Sequence, residues 1–376
     1  MNRRIYTFLA TLAIFVIGLQ PAVAQLPGRM HFGLIYPLST NGVHAPLDTN
    51  NLSIHLLAGV SAAEKGLTIA GFSNFVRYDA VGSQFAGFSN HIGGKADGAQ
   101  FAGFANIYRK GNGIAFAGFA NVAGNVKGAQ FAGFANVAKA VKGAQFAGFF
   151  NYAKAIDGPQ FAGFMNIADR NVSESQISGF INKAEDVRGT QIAGFINIAK
   201  KVKGAQIAGF INVADSSDFP IGFINIVKNG EKSIGITTDE TQTTMLSFRS
   251  GGRSLYGIIG IGYNFKNTDE VYAAELGLGA HFFSSNSFSL NTELVATTLE
   301  SFKAGEYFKT SFRLMPSLKL FRTIGVFGGP NINFVTTNTH EGKSLYTRNL
   351  ASWNNKWGND YNALYIGYTA GLHFIF

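Results

Sequence analysis

Residues 128–142 read G-A-Q-F-A-G-F-A-N-V-A-K-A-V-K, and the same pattern begins again at Gly143. The core motif G-F-x-N occurs eleven times between Gly71 and Asn225, at intervals of 13 to 16 residues that are most often 15. A fixed period of this kind is typical of repeat architectures, in which each copy is one structural unit packed on its neighbours. The repeated asparagines are Asn74, Asn90, Asn106, Asn121, Asn136, Asn151, Asn166, Asn182, Asn197, Asn212 and Asn225.

The repeat favours strands over helices. Each copy carries a glycine inside its apolar core, where glycine costs a helix about 1 kcal/mol. Segment 130–137 is rich in aromatic and β-branched residues, which suit a pleated sheet. Strict alternation along this segment predicts one face with Phe131, Gly133, Ala135 and Val137, and an opposite face with Gln130, Ala132, Phe134 and Asn136.

Two all-β architectures fit this period. In a β-solenoid each copy forms one coil, and like residues stack about 4.8 Å apart. In the alternative, one large barrel, each copy forms one strand of about ten residues, which is the length of a transmembrane β-strand. The solenoid predicts a structural ladder of stacked phenylalanines and hydrogen-bonded asparagines, formed by Phe119, Phe134, Phe149, Phe164, Asn106, Asn121, Asn136, Asn151 and Asn166.

Three features favour the solenoid. The connections between copies are uniform, whereas membrane barrels alternate short turns with longer loops. In the barrel alternative Lys183 would face lipid, which is costly near the membrane midplane. Nearly every connection also holds an apolar residue that a solenoid would bury and a solvated turn does not need: Val126, Val141, Ile156, Val172, Val187 and Val202.

The N-terminus predicts export. Arg3 and Arg4 precede an apolar run, and residues 22–24, A-V-A, match a small-residue cleavage site. This pattern indicates a secretory signal peptide over residues 1–24, with Gln25 as the first mature residue. The chain contains no cysteine, so disulfides and thiolate metal sites are excluded.

The C-terminal part has a different pattern. Eight strand candidates with alternating character follow the repeats, and in the last of them one face is apolar over about ten residues, as in membrane barrels. A soluble antiparallel β-sandwich is the alternative. The eight candidates are 233–238, 243–249, 254–265, 271–283, 288–298, 310–321, 324–335 and 363–376.

The predicted domain organisation has four parts. Residues 1–24 form the signal peptide, and residues 25–60 form N-terminal strands for which membership of the barrel stays open. Residues 61–230 form the eleven-copy β-repeat region, which we expect to be solenoid-like. Residues 231–376 form a C-terminal outer-membrane β-barrel region. The predicted fold class is therefore all-β, a solenoid-like region combined with an antiparallel transmembrane barrel.

Several motifs resemble known families. The C-terminus, with Tyr368, Leu372, Phe374 and Phe376, is similar to the membrane-insertion signal of Gram-negative outer-membrane barrels. The segments 34–38 (L-I-Y-P-L) and 220–225 (P-I-G-F-I-N), together with the repeat G-x-Q-[FI]-A-G-F-x-N, resemble a family of surface-repeat proteins from Gram-negative envelopes. The resemblance implies a location at the outer membrane or cell surface, and lipid and the barrel-assembly machinery as partners.

No sequence pattern indicates catalysis. The seven histidines are scattered, and the glycine-rich runs are not followed by a helix signal as phosphate loops are. We therefore expect no catalytic, cofactor-binding or metal-binding residue. The net charge is +9, but an exported chain without a recognisable module is not expected to bind nucleic acid.

The polar stretch 336–362 contains the aromatic residues Tyr346, Trp353 and Trp357. It is either an extracellular barrel loop or a loop that contacts a ligand, such as a surface glycan or protein. The expected function is that of a non-enzymatic outer-membrane or cell-surface repeat protein with a structural or adhesive role. The alternative is an outer-membrane channel or uptake protein for small solutes.

Overall fold

The computed structural model describes residues 29–252, 254–285, 287–303, 305–321, 323–346, 348–354 and 360–376. The predicted signal peptide and Trp357 lie outside the described residues. The chain forms a parallel β-solenoid of about 12 coils and a closed eight-stranded antiparallel barrel. The predicted all-β fold class is confirmed.

The solenoid contains 23 strands and one short 3-10 helix, Gly42–Leu47. Its strands are β1 (Met30–Ile35), β2 (Leu38–Ser39), β3 (Thr49–Ser61), β4 (Ala63–Ala70), β5 (Ser73–Val76), β6 (Ala80–Ala86), β7 (Ser89–Ala102), β8 (Ala105–Ala117), β9 (Ala120–Ala132), β10 (Ala135–Lys142), β11 (Gln145–Ala147), β12 (Phe150–Asp157), β13 (Gln160–Ala162), β14 (Met165–Ala168), β15 (Gln176–Ser178), β16 (Ile181–Lys183), β17 (Asp186–Val187), β18 (Gln191–Ala193), β19 (Ile196–Ile198), β20 (Lys201–Ala208), β21 (Ile211–Ala214), β22 (Ser216–Ile221) and β23 (Ile224–Val227).

Each repeat is one coil, and equivalent residues of successive coils pair in register. Asn136 pairs in parallel with Asn121 on one side and with Asn151 on the other. Parallel pairing of this kind does not occur between neighbouring strands of an up-and-down barrel, whose neighbours are antiparallel. The alternative with one transmembrane strand per repeat is therefore wrong.

The chain turns a corner in each coil at the Gly-Phe pair. Gln130, Ala135 and Asn136 are buried inside the solenoid, whereas Phe134 lies outside at 41% exposure. The two faces predicted from strict alternation are therefore wrong beyond Ala132, because the corner changes the phase of alternation. The apolar residues of the connections are buried as predicted, with at most 3% exposure at Val126, Val141, Ile156, Val172, Val187 and Val202.

The corner requires glycine because the coils approach closely there. A Cβ at Gly133 would lie 2.1 Å from the carbonyl oxygen of Gly118 in the preceding coil, and Gly148 meets Gly133 at the same distance. A carbon atom cannot occupy that position without moving the backbone of a neighbouring coil. The coils can therefore stack at this distance only if the residue before the phenylalanine is glycine.

The N-terminal strands belong to the solenoid. Strand β1 pairs in parallel with β3, and β3 pairs in parallel with both β4 and β5. The described part of residues 25–60 therefore extends the solenoid by additional coils and does not contribute strands to the barrel.

The barrel strands alternate exposed, largely apolar residues on the outside with buried residues inside, where polar side chains and apolar clusters both occur. Strand β24 closes the barrel by pairing with β32. Each of the eight strands overlaps one of the eight predicted segments, with ends that differ by up to three residues. The strands are β24 (Glu231–Asp239), β25 (Thr243–Gly251), β26 (Leu255–Asn264), β27 (Tyr272–Ser284), β28 (Phe288–Glu300), β29 (Tyr307–Lys319), β30 (Ile324–Thr337) and β32 (Tyr361–Ile375); the short β31 (Ala351–Asn354) pairs with β32, and helix α1 spans His340–Ser344.

The two ends of the barrel differ. At one end, which we call the short-turn end, lie the first and last barrel residues, Glu231 and Phe376, together with the brief connections after β25, β27 and β29. At the other, the long-loop end, lie the short turn 240–242 and the connections 265–271, 301–306 and 338–360, the last of which carries α1 and β31.

The last coil of the solenoid packs on the outer wall of the barrel near the short-turn end. Asn225 donates from its backbone nitrogen to Ser250 Oγ (2.9 Å) and from Nδ2 to Ser250 O (3.0 Å). Ser250 pairs with Gly257, where a Cβ would lie 2.1 Å from the carbonyl oxygen of Gly222. Because the preceding Arg249 points into the lumen, Ser250 and its partner face outward.

Candidate functional site

A continuous asparagine ladder runs through the solenoid interior. Asn121 Nδ2 donates to Asn136 Oδ1, and Asn136 Nδ2 donates to Asn151 Oδ1, both at 2.9 Å. Asn136 Nδ2 also donates to the carbonyl oxygen of Phe146 at 2.7 Å. These asparagines are fully buried, so their polar groups need partners. Each side-chain amide accepts a hydrogen bond from one adjacent coil and donates one to the other.

A second ladder, of glutamines, lies beside the first. Gln145 Nε2 donates to Gln130 Oε1 at 3.0 Å, and Gln160 Nε2 donates to Gln145 Oε1 at 2.8 Å. This ladder was not predicted, although the glutamine recurs in the sequence with the same period as the asparagine.

The glutamine ladder is interrupted at Ala115, which occupies the glutamine position of its coil. Tyr108 supplies the hydrogen-bond acceptor that is missing there. The hydroxyl of Tyr108 accepts a hydrogen bond from Gln130 Nε2 at 3.1 Å. The Tyr108 ring fits because residue 111 is glycine. A Cβ at Gly111 would lie 2.6 Å from Tyr108 Cε2. Burial raises the pKa of Tyr108 to about 12, so the hydroxyl stays neutral.

Replacing Tyr108 with phenylalanine is expected to lower the stability of the surrounding coils by about 1–3 kcal/mol, because Gln130 Nε2 then lacks its buried partner. Hydrogen exchange over 105–135 should increase. Tyr152→Phe is the matched control, since the Tyr152 hydroxyl bonds to Asp169 at the surface. Equal effects of the two substitutions would show that the hydroxyl of Tyr108 does not stabilise the ladder.

The outside of the solenoid carries a row of stacked phenylalanines, which we call the Phe ridge. Successive rings are 4.7–5.4 Å apart and within 12° of parallel. The ridge consists of Phe72, Phe88, Phe104, Phe119, Phe134, Phe149, Phe164, Phe180, Phe195 and Phe210.

A second phenylalanine row lines an open apolar groove of about 980 Å³ beside the ridge. Its floor is formed by the alanines and glycines that follow each ring, and it extends from Ile69 to Ile177. The rings of this row are Phe85, Phe101, Phe116, Phe131, Phe146 and Phe161.

A buried polar cluster closes the end of the solenoid distant from the barrel. Glu64 is 1% exposed and accepts hydrogen bonds from Ser53 Oγ (2.8 Å) and Asn50 Nδ2 (3.2 Å). The His31 and His55 rings meet edge to face at 4.3 Å. Burial raises the pKa of Glu64 above its usual range, whereas burial, with a smaller contribution from His31, lowers the pKa of His55 to about 4.

Acidification is expected to loosen this end of the solenoid through His55. Between pH 6.5 and about 4 the unfolded chain binds a proton at His55 and the folded chain does not, so the contribution of His55 to stability is lost as the pH falls. Glu64, whose pKa is raised, makes a contribution to stability that increases as the pH falls. Comparing the wild type with His55→Phe therefore isolates the contribution of His55. Protection factors of strands β3 and β4 at pH 7 and pH 5 measure it.

The His55→Phe chain should lose less protection on acidification than the wild type, because phenylalanine binds no proton. His44→Gln, at an exposed position, is the control and should behave as the wild type does. Identical pH dependence in the wild type and in His55→Phe would contradict this explanation.

Buried ion pairs cross the lumen of the barrel. Arg249 Nε donates to Glu293 Oε1 at 2.9 Å, and Arg313 Nη2 donates to Glu275 Oε2 at 3.2 Å. Nearer the long-loop end Lys309 Nζ lies 2.5 Å from an oxygen of Asp239. These side chains are at most 7% exposed. Alternation along the strands indicates which residues face inward, but the ion pairs themselves were not predicted from the sequence.

A polar cavity of about 530 Å³ opens in the lumen at the short-turn end. Arg249, Glu293 and Tyr256 line its inner part, and His281 and His373 line its walls. The Tyr256 hydroxyl donates to Glu293 Oε1 at 3.0 Å. The cavity therefore presents both charges and several neutral donors and acceptors.

The aromatic residues of the long loop lie in different surroundings. Tyr346 is buried and stacks on Tyr365 with ring centroids 4.3 Å apart, so it closes the long-loop end of the lumen. Trp353 is 48% exposed, and its ring centroid lies 6.0 Å from that of the outward-facing Phe334. The structure does not bring Tyr346 and Trp353 together, and Trp357 lies outside the described residues.

The C-terminal aromatic residues face outward on the strand that closes the barrel. Phe374 pairs with Ile234 of the first barrel strand, and the backbone nitrogen of Phe376 donates to the carbonyl oxygen of Lys232. The side chains of Tyr368, Leu372, Phe374 and Phe376 are 49–68% exposed. They therefore lie on the outer wall beside the closing seam.

The comparisons with known proteins identify no relative. No family model matches the chain, and neither the curated proteins nor the solved structures contain a significant match. Within the described ranges no helix is long and apolar enough to cross a membrane. The same residues contain no group of three or more acidic or histidine side chains that could hold a metal ion.

Proposed function

We propose that this chain is a non-enzymatic structural protein of the outer membrane, in which the barrel is the lipid-embedded anchor and the solenoid is a rigid scaffold. The observation that supports this most strongly is the outer wall of the barrel. Each of the eight strands presents a large apolar side chain that is at least 40% exposed, which is costly in water and favourable in lipid. One example from each strand is Ile236, Leu246, Ile261, Leu276, Leu294, Phe312, Ile332 and Ile366.

The buried side chains that cross the lumen favour an anchor over a channel, even though a cavity of about 530 Å³ opens at the short-turn end. Eight-stranded barrels are just wide enough for side chains to fill their interior. Here the pairs Arg249–Glu293 and Arg313–Glu275 lie across the lumen, and Tyr346 closes the long-loop end. In planar bilayers we therefore expect the purified protein to insert without stepwise conductance. Reproducible conductance steps would contradict the anchor function and favour the channel alternative.

The position of the solenoid favours a structural role over adhesion. Outer-membrane barrels place their short turns in the periplasm and their longer loops outside the cell. The solenoid packs at Ser250 and Gly257, near the short-turn end. We therefore place the solenoid at the periplasmic face of the membrane and the loop 338–360 at the cell surface. Labelling of single cysteines in intact cells tests this placement, as described in the Discussion.

A further inference from the structure

The cross-section of the solenoid is amphipathic. Phe119, Phe134 and Phe149 of the Phe ridge are each 41% exposed, and the ring planes keep one direction along the row. Eight of the ten rings are at least 36% exposed and the other two are partly exposed, and together they form a larger apolar surface than a solvated protein usually presents. Such a surface indicates a partner for the ridge.

The opposite edge of each coil is charged. The coil that has Phe134 at its corner also exposes Lys139 and Lys142, which follow Phe134 by five and eight residues in the sequence. Other coils repeat this arrangement with exposed bases and occasional acids. The charged edge includes Lys110, Lys127, Lys139, Lys142, Lys154, Asp157, Lys200, Lys201 and Lys203.

The junction with the barrel shows the direction in which each edge points. Gly252 lies at the short-turn end, and a Cβ there would be 2.8 Å from Pro220 Cδ and 3.5 Å from the carbonyl oxygen of Asp218, which is on the charged edge of the last coil. Gly252 lies opposite Leu255 across the turn, so Gly257 is two positions further along the wall, and a Cβ there would be 2.2 Å from the carbonyl oxygen of Phe223. The phenylalanine corner of the last coil is therefore nearer the middle of the barrel than the charged edge.

The phenylalanine corner adjoins the apolar outer wall. On the strand that contacts Phe223, the next outward-facing residues after Gly257 are Ile259 and Ile261, and Ile261 is 68% exposed. Phe223 occupies the position of Phe210 in the preceding coil, because Asn225 pairs with Asn212. The Phe ridge therefore leads directly to the apolar surface that the barrel presents to lipid.

We infer that the Phe ridge lies on the lipid leaflet at the short-turn end of the barrel, with the charged edge directed away from the membrane. This inference rests on the proposed membrane anchor. The partner is the lipid surface itself, because the ridge offers apolar rings and no polar side chain. The backbone groups beneath the ridge are already used in bonds between coils; Phe134 N, for example, donates to the carbonyl oxygen of Phe119. An extended peptide would therefore find no hydrogen-bonding edge there.

Quenching by brominated lipid tests the inference in the full chain. In a background with Trp353→Phe and Trp357→Phe, a single tryptophan is introduced by Phe149→Trp on the ridge, Lys139→Trp on the charged edge, or Ile261→Trp on the barrel wall. Each protein is folded into phosphatidylcholine vesicles with or without bromine on the acyl chains. The heat-modifiable band on gels shows that the barrel has folded, and Phe119→Trp provides a second ridge position.

We expect the tryptophans at positions 149 and 261 to lose comparable fractions of their emission in brominated vesicles, and the tryptophan at position 139 to lose little. Absence of quenching at position 261 would refute the membrane anchor. Quenching at position 261 without quenching at 149 and 119 would refute the inference alone. Equal quenching at 139 and 149 would also overturn it, because the solenoid would then lack a membrane-facing edge. Disulfide-linked dimers of Phe149→Cys, with an unquenched tryptophan at 149, would assign the ridge to a second copy.

Discussion

Replacing Gly133 with alanine is expected to disrupt the stacking of the coils and to lower the local stability of the solenoid by about 3–5 kcal/mol. The added Cβ would lie 2.1 Å from the carbonyl oxygen of Gly118, which is a backbone atom and cannot rotate away. The two coils must therefore separate at the corner, and the Asn121–Asn136 hydrogen bond beside it is weakened. Hydrogen exchange should increase over 118–150 and stay unchanged in the barrel, because a solenoid coil contacts only its neighbours.

Gly42→Ala separates the steric effect from the general cost of replacing glycine. Gly42 has a positive φ of 52°, but a Cβ there would meet no atom within 4 Å. We expect a cost of about 1–2 kcal/mol from the backbone conformation alone. If Gly133→Ala cost no more than Gly42→Ala, the close approach of the coils would not be what requires glycine in the repeat.

Replacing Glu293 with glutamine is expected to destabilise the barrel by about 3–5 kcal/mol, since it leaves a buried guanidinium without its counter-charge. Glu293 accepts from Arg249 at 2.9 Å and lies 3.6 Å from Arg313, and all three side chains are at most 7% exposed. The denaturant midpoint of the lipid-folded protein, read from the heat-modifiable band, measures the change.

The exposed pair Lys303–Asp269 provides the control for a charge in water. Its side chains are 75% and 70% exposed and the two charged atoms are 3.7 Å apart. Asp269→Asn should therefore change stability by less than about 1 kcal/mol. A similarly small effect of Glu293→Gln would mean that water solvates the charges in the lumen. It would then contradict the conclusion that these ion pairs are buried.

The sequence was sufficient to predict the solenoid because its period is short and its residues are stacked on copies of themselves. Equivalent positions such as Asn121 and Asn136 are neighbours in space whenever coils stack, so their contact follows from the period alone. The valine of the connection was also predictable, since a solvated turn has no need of an apolar side chain. In the barrel the alternation of each strand was sufficient to locate all eight strands.

The details at the corner and in the lumen could not be predicted in the same way. Alternation along a strand assumes a straight backbone, but the chain turns at Gly133 and Phe134, which brings Gln130 and Asn136 inside together. The pairing of Arg249 with Glu293 depends on the register of strands that are 44 residues apart in sequence. No local pattern encodes that register. The substitution of Tyr108 for the missing glutamine likewise depends on the stacking of whole coils.

We propose that a membrane-embedded barrel holds the solenoid on its periplasmic side, and labelling of single cysteines tests this placement directly. The natural chain contains no cysteine, so single cysteines can be introduced by Lys139→Cys in the solenoid and Trp353→Cys at the long-loop end. Intact cells are treated with a membrane-impermeant maleimide before and after the outer membrane is permeabilised. We predict that the cysteine at 353 is labelled in intact cells and that the cysteine at 139 is labelled only after permeabilisation. Labelling at 139 in intact cells, with 353 protected, would contradict this placement of the solenoid.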